Sequence, residues 1–141
     1  MKSGISSQGP GVSESAFVRH LVQTLLSLST HGACVIVGRG APHVLPPVTT
    51  LRVAVVAPRE DRVANLALQQ GVSRHEAARR VETIDRDRLG FVKDHFGKNA
   101  ADPTNYDLVL NSMRFSRAEC ADLVLEALHR REAHAVQASP A

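Results

Sequence analysis

Apolar residues along this chain fall into two kinds of spacing, and the alternation between them sets out the fold. Phe17, Val18, Leu21, Val22, Leu25, Leu26 and Leu28 recur every three or four positions, the spacing of one helix face. Ser13-Glu14-Ser15 supplies a capping side chain and an acid just before that face, so the pattern predicts a helix from Ser13 to near Gly32. Ala33-Cys34-Val35-Ile36-Val37 is then a continuous apolar run closed by Gly38-Arg39-Gly40, the pattern of a central strand covered on both faces. Pro42, Pro46 and Pro47 break the chain into turns, with room for one helical turn over 42–45. A second strand of the same kind follows in Leu51-Arg52-Val53-Ala54-Val55-Val56 and stops at Ala57-Pro58.

From Arg59 to Gln70 the residues are helix formers with Val63, Leu66 and Ala67 on one face, and Gly71 ends the run. Ser73-Arg74-His75-Glu76 has the S-x-x-E spacing of a capping box. It starts a helix expected to reach His95-Phe96-Gly97 with a bend near Gly90. Tyr106-Asp107-Leu108-Val109-Leu110 is the third strand, and Ser116 caps a last helix carrying Cys120, Leu123, Val124, Ala127 and Leu128. The order helix, strand, strand, helix, helix, strand, helix is that of an α/β fold with three buried parallel strands. Periodicity is absent before residue 13 and after Arg131. We therefore expect a disordered segment over 1–12, one domain over 13–131 and a disordered tail over 132–141.

Composition narrows the function classes. With 141 residues and 43% hydrophobic content the chain suits one domain with a core. No apolar run approaches the roughly 20 residues that span a bilayer, and residues 1–10 lack the apolar core of a secretory signal. A cytoplasmic protein with no membrane partner is expected. Cys34 and Cys120 lie in separate apolar segments and are expected as buried free thiols. None of the seven histidines forms an HxxxH or HExxH pair, so no metal site is expected. A net charge of only +3 is weak evidence for a nucleic-acid binder, since such proteins usually concentrate basic residues on one face, and no nucleic-acid partner is expected. Lysine occurs only at Lys2, Lys93 and Lys98, so arginine carries most of the positive charge, and its forked guanidinium suits phosphate.

In open α/β sheets ligands bind beyond the carboxyl ends of the strands. Those exits contain Arg39, then Arg59 and Arg62, then Asn111, Ser112 and Arg114. Arg39 stands between two glycines that would let backbone approach a ligand closely. A second cluster, Arg79-Arg80 and Asp85-Arg86-Asp87-Arg88, lies on the long helix, where Asp85 and Arg88 share a face at i, i+3.

Four segments in this order resemble the cytidylate-kinase-like family of nucleoside monophosphate kinases. They are Val-Ile-Val-Gly-Arg-Gly over 35–40, the Val-Ala-Pro-Arg-Glu-Asp-Arg-Val-Ala run over 56–64, Asp-Arg-Asp-Arg over 85–88 leading to His95-Phe96-Gly97, and the run over 102–112. The resemblance covers residues 13–131 and implies a P-loop-kinase-like α/β/α fold of three layers, a mainly parallel sheet and a helical lid region. It implies that Arg39, Asp85 and Arg88 bind the acceptor nucleotide, that Arg59 and Arg62 belong to the phosphate-binding lid, and that Asn111 and Ser112 lie near the donor base. Phosphoryl transfer from ATP with Mg2+ to a nucleoside monophosphate of CMP or dCMP type is the implied reaction, with charge neutralisation and positioning as its means.

The phosphate-loop pattern G-x-x-x-x-G-K-[ST] has no match here, since Gly4, Gly9 and Gly11 surround no Gly-Lys-Ser/Thr. The expectation is therefore an incomplete kinase-like domain, truncated or impaired in catalysis, or a non-catalytic nucleotide-binding or interaction module on the same fold. The family's central strand would be missing with that loop. A rearranged sheet, a partner chain, strand exchange between protomers or an upstream segment would then complete the sheet.

Overall fold

A computed structural model of the chain describes residues 14–38 and 40–138. The described residues form five α-helices and a two-stranded parallel sheet, an α/β fold consistent with an incomplete P-loop-like arrangement. Helix α1 spans Glu14–Thr30, and α2 is the single turn Ala41–Val44. Strand β1 is Val53–Val56, α3 is Arg59–Gln70, α4 is Arg74–Phe96, β2 is Leu108–Asn111 and α5 is Arg117–Ala138. None of the described helices is long and apolar enough to cross a membrane.

Helices α3 and α4 pack on each other because their apolar residues share one seam. Val63 is 1% exposed and Ala77 is 0% exposed; Val81 completes the buried group, with Leu66, Ala67, Val72 and Ala78 around it. Gly71 ends α3 in the left-handed conformation (φ 62°), which costs a glycine little, and its N–H donates to the Ala67 carbonyl. Two residues on, the Ser73 hydroxyl accepts from the Glu76 N–H and starts α4. Helix α4 is continuous through Gly90 to Phe96. A smaller apolar group, Leu25, Ala41 and Leu45 with Leu21, Ile36 and Val44, joins α1 to α2.

The sheet pairs Val53 with Leu108 and Val56 with Asn111 in parallel register. At the strand starts, Asp107 and Arg52 clasp each other. Arg52 donates its backbone N–H (2.8 Å) and Nε (3.3 Å) to Asp107 Oδ2 and its Nη2 to Oδ1 (3.0 Å), while its carbonyl accepts the Asp107 N–H. At the other end the Ser112 N–H donates to the Val56 carbonyl at 2.9 Å. Between these polar ties only Leu110 of the two strands is buried, and Val55 is 64% exposed.

Three expectations need correction. Residues 33–37 are not a strand: the segment has no ladder partner, and Ile36 alone turns onto the α1–α2 group while Val35 is 92% and Val37 87% exposed. A continuous apolar run becomes a strand only where a neighbour accepts from its N–H groups and donates to its C=O groups. Among the described residues the sheet therefore has two strands in place of three. Cys34, carried on that segment, is exposed, and Cys120 is half-buried; both thiols are free. Helix α5 also continues past Arg131 to Ala138, although every residue over 129–138 is exposed. Its last turns are Arg, Glu, Ala and Gln-rich, and propensity extends a helix there without an apolar face.

Candidate functional site

The site begins with the turn that leaves β1. Pro58 precedes α3, and one turn into that helix Arg62 meets Asp85 of α4 in a symmetrical fork, Nη1 to Oδ1 and Nη2 to Oδ2 both at 2.7 Å. Packing of Val63 against Ala77 and Val81 brings these two elements within reach. Each partner's side chain is about one third exposed (36% and 35%). The hydrogen bonds from Arg62 hold the Asp85 carboxyl below its ordinary range against some desolvation, with Arg88 and Arg59 adding attraction. The same bonds raise Arg62. A residue expected in the lid and one expected at the acceptor are thus one ion pair, and Asp85 does not pair with Arg88, its neighbour on α4.

Beside this pair, at the carboxyl ends of both strands, lies an open cavity of about 250 Å3 whose walls include Val56, Arg62, Asn65, Leu66, Gln69 and Ser112. It brings together Arg62 and Ser112, which the sequence places fifty residues apart. Asn65 and Gln69 were not singled out from the sequence; their signal was helical spacing, since 62, 65 and 69 lie on one face of α3. Asn111 is occupied by the turn after β2, its Oδ1 accepting the Met113 N–H and its carbonyl the Arg114 N–H. Arg59 pairs with Glu60 in the first turn of α3, away from the cavity walls. Arg88 and Arg114 are exposed and line no part of it. Arg39 lies outside the described residues, and Gly40 beside it caps α2.

A second polar group gathers at the opposite ends of the strands. His43 stacks on Phe96 (centroids 6.3 Å) and meets Tyr106 edge-on (6.1 Å), and Tyr106 donates its hydroxyl proton to the Ala100 carbonyl. Burial, then the charges of Lys98 and Arg52, lower His43. This cluster ties α2 to α4 and to the start of β2.

Chemically, the strand-exit cavity offers a guanidinium, a hydroxyl and two side-chain amides. That donor set suits a phosphate or the edge of a base. Its walls carry no carboxylate, because Asp85 faces Arg62. Among the described residues a magnesium ion has no ligand set there.

A model of the cytidylate kinase-like family matches residues 6–114. The chain belongs to that family. The match begins before the first helix and ends at the turn after β2, so it leaves α5 outside, whereas the resemblance was expected to run to residue 131. A cytidylate kinase of Methanopyrus kandleri is 31% identical over 83 residues, which is 59% of this chain and 43% of that protein. A uronate isomerase of Corynebacterium glutamicum is 30% identical over 118 residues, 83% of this chain and 23% of that protein. The chain spans less than half the length of either relative, and membership of the kinase-like family rests on the family match.

Proposed function

We propose that the chain is a nucleotide-binding domain that holds the phosphate of a CMP-type nucleoside monophosphate at the strand exits. Arg62 carries this reading, because it stands at once in the cavity wall with Ser112 and in the fork with Asp85. A guanidinium has five N–H donors, so Arg62 keeps donors for a ligand while Asp85 fixes its plane. A phosphate monoester is mostly dianionic at pH 7 and above, and each oxygen can accept a charge-assisted bond there. In the family's phosphoryl transfer from ATP, these residues would position the acceptor and neutralise its charge.

A second reading, a binding module without phosphoryl transfer, is favoured by the carboxylate-free walls of the cavity. Both readings are tested by thermal melting with CMP, dCMP, UMP, AMP and ATP. A ligand at 100 times its Kd stabilises by about 2.7 kcal/mol. We expect a shift with CMP that Arg62→Ala removes; no shift with any nucleotide would sink both readings. ADP release from ATP, Mg2+ and CMP then separates them: turnover supports the kinase, and binding without turnover supports the module.

A further inference from the structure

A larger cavity, about 790 Å3, opens beside the C-terminal half of α4 and is lined by Arg86, Leu89, Gly90, Lys93, Gly97 and Lys98. It shares no residue with the strand-exit cavity. Arg86, Gly90 and Lys93 follow at i, i+4 and i+7, one face of the helix. Gly97 then turns the chain so that Lys98 borders the same space. Among the described residues none of the three cations takes part in an ion pair. Asp102 feels the charge of Lys98, but its own carboxylate is bound to the Thr104 N–H and hydroxyl.

A helix C-terminus attracts cations. That accounts for Lys93 and Lys98, yet not for Arg86, ten residues before the end of α4. Nor does it account for Gly90. Glycine is the poorest helix former after proline, and here packing does not require it, because a Cβ at Gly90 would meet nothing within 4 Å. What a side chain there would fill is the cavity itself.

We propose that this groove is a second anion site that binds the phosphate chain of a di- or triphosphate. Arg86 and Lys93 are about 10 Å apart along the helix axis, which suits an extended polyanion better than one isolated carboxylate. The arginine fork and the two ammonium groups are donors only, and Leu89 with the open face of Gly90 lets the chain lie close to the helix.

Calorimetric titration of the whole chain with tripolyphosphate in magnesium-free buffer tests this. We expect binding that weakens as salt rises, and a loss of about tenfold or more in the double variant Arg86→Ala/Lys93→Ala. Gly90→Leu keeps every cation but fills the groove, so it should abolish binding while its unfolding midpoint stays at or above the parent's. Arg62→Ala disables the strand-exit anion site and should leave the groove's binding in place, so both groove variants are compared with their parent in that background. In that background, absence of tripolyphosphate binding, or binding undiminished by Arg86→Ala/Lys93→Ala or by Gly90→Leu, would each overturn the proposal. ATP titrated alongside identifies the source: tighter binding than tripolyphosphate indicates a nucleotide, and equal binding an inorganic chain.

Discussion

The α3–α4 pair and the β1–β2 sheet lie next to each other in sequence yet hold together by different forces. The helices bury Val63, Ala77 and Val81 almost completely. The strands leave Val55, Val56 and Val109 between 43% and 64% exposed and depend on the Arg52–Asp107 clasp and the Ser112–Val56 bond at their two ends. Hydrophobic burial does not weaken with salt and is insensitive to pH, whereas a partly exposed ionic clasp is sensitive to both. One element thus carries its own core. The other is held mainly at its rims, and the candidate ligand cavity opens on that rim.

The same substitution placed in each region should separate them most clearly. Val63→Ala removes methyl groups from a site with no solvent access and should cost about 2–3 kcal/mol. Val55→Ala changes a side chain that is largely in water and should cost less than about 0.5 kcal/mol. Urea denaturation of both variants measures the difference, and equal losses would mean that the sheet is covered in solution.

Next in size is the clasp. Asp107→Asn keeps the shape but removes the charge, and we expect a loss of about 1–2 kcal/mol, reduced from the range for a charged hydrogen bond because both side chains are about one fifth exposed. Arg52 holds the Asp107 carboxyl below its ordinary range, first by its side-chain hydrogen bond. The folded chain then binds fewer protons than the unfolded one, so the stabilisation is full above the carboxyl's unfolded pKa and disappears as pH falls through the lowered folded value. A parent and an Asp107→Asn variant whose stabilities converge in acid would bear this out; parallel pH curves would refute it.

The contrast also explains what could be read from sequence. Gly71, the Ser73 cap and the Val63 face of α3 act within a few residues of themselves, and each forms as the pattern indicates. At Ser116 the box is complete: its hydroxyl accepts the Glu119 N–H and its own N–H donates to the Glu119 carboxylate. The run at 33–37 looked like a strand because its composition is that of one, but a strand is a relation to a neighbour and none is present among the described residues. For the same reason the Arg62–Asp85 pair was hidden. Both residues were legible as candidates, but their meeting depends on how α3 packs on α4 across 23 residues of chain.

That pair should be energetically smaller than the clasp, since it is more exposed and recruits no backbone N–H. A double-mutant cycle with Arg62→Ala and Asp85→Ala should give a coupling of about 0.5–1 kcal/mol, falling with salt. A coupling equal to that of Arg52 with Asp107 would show that exposure does not set the order of the two.

The smallest effect expected is at the apolar segment beside Arg39. Val35 and Val37 already stand in water, so Val35→Thr and Val37→Thr lose almost no burial, and each should change stability by less than about 0.5 kcal/mol. If the segment were instead covered in solution, each substitution would remove buried methyl surface and the loss would approach that of Val63→Ala. The ratio of these losses to that of Val63→Ala therefore reports how far the apolar run at 33–37 is sheltered, independently of any ligand.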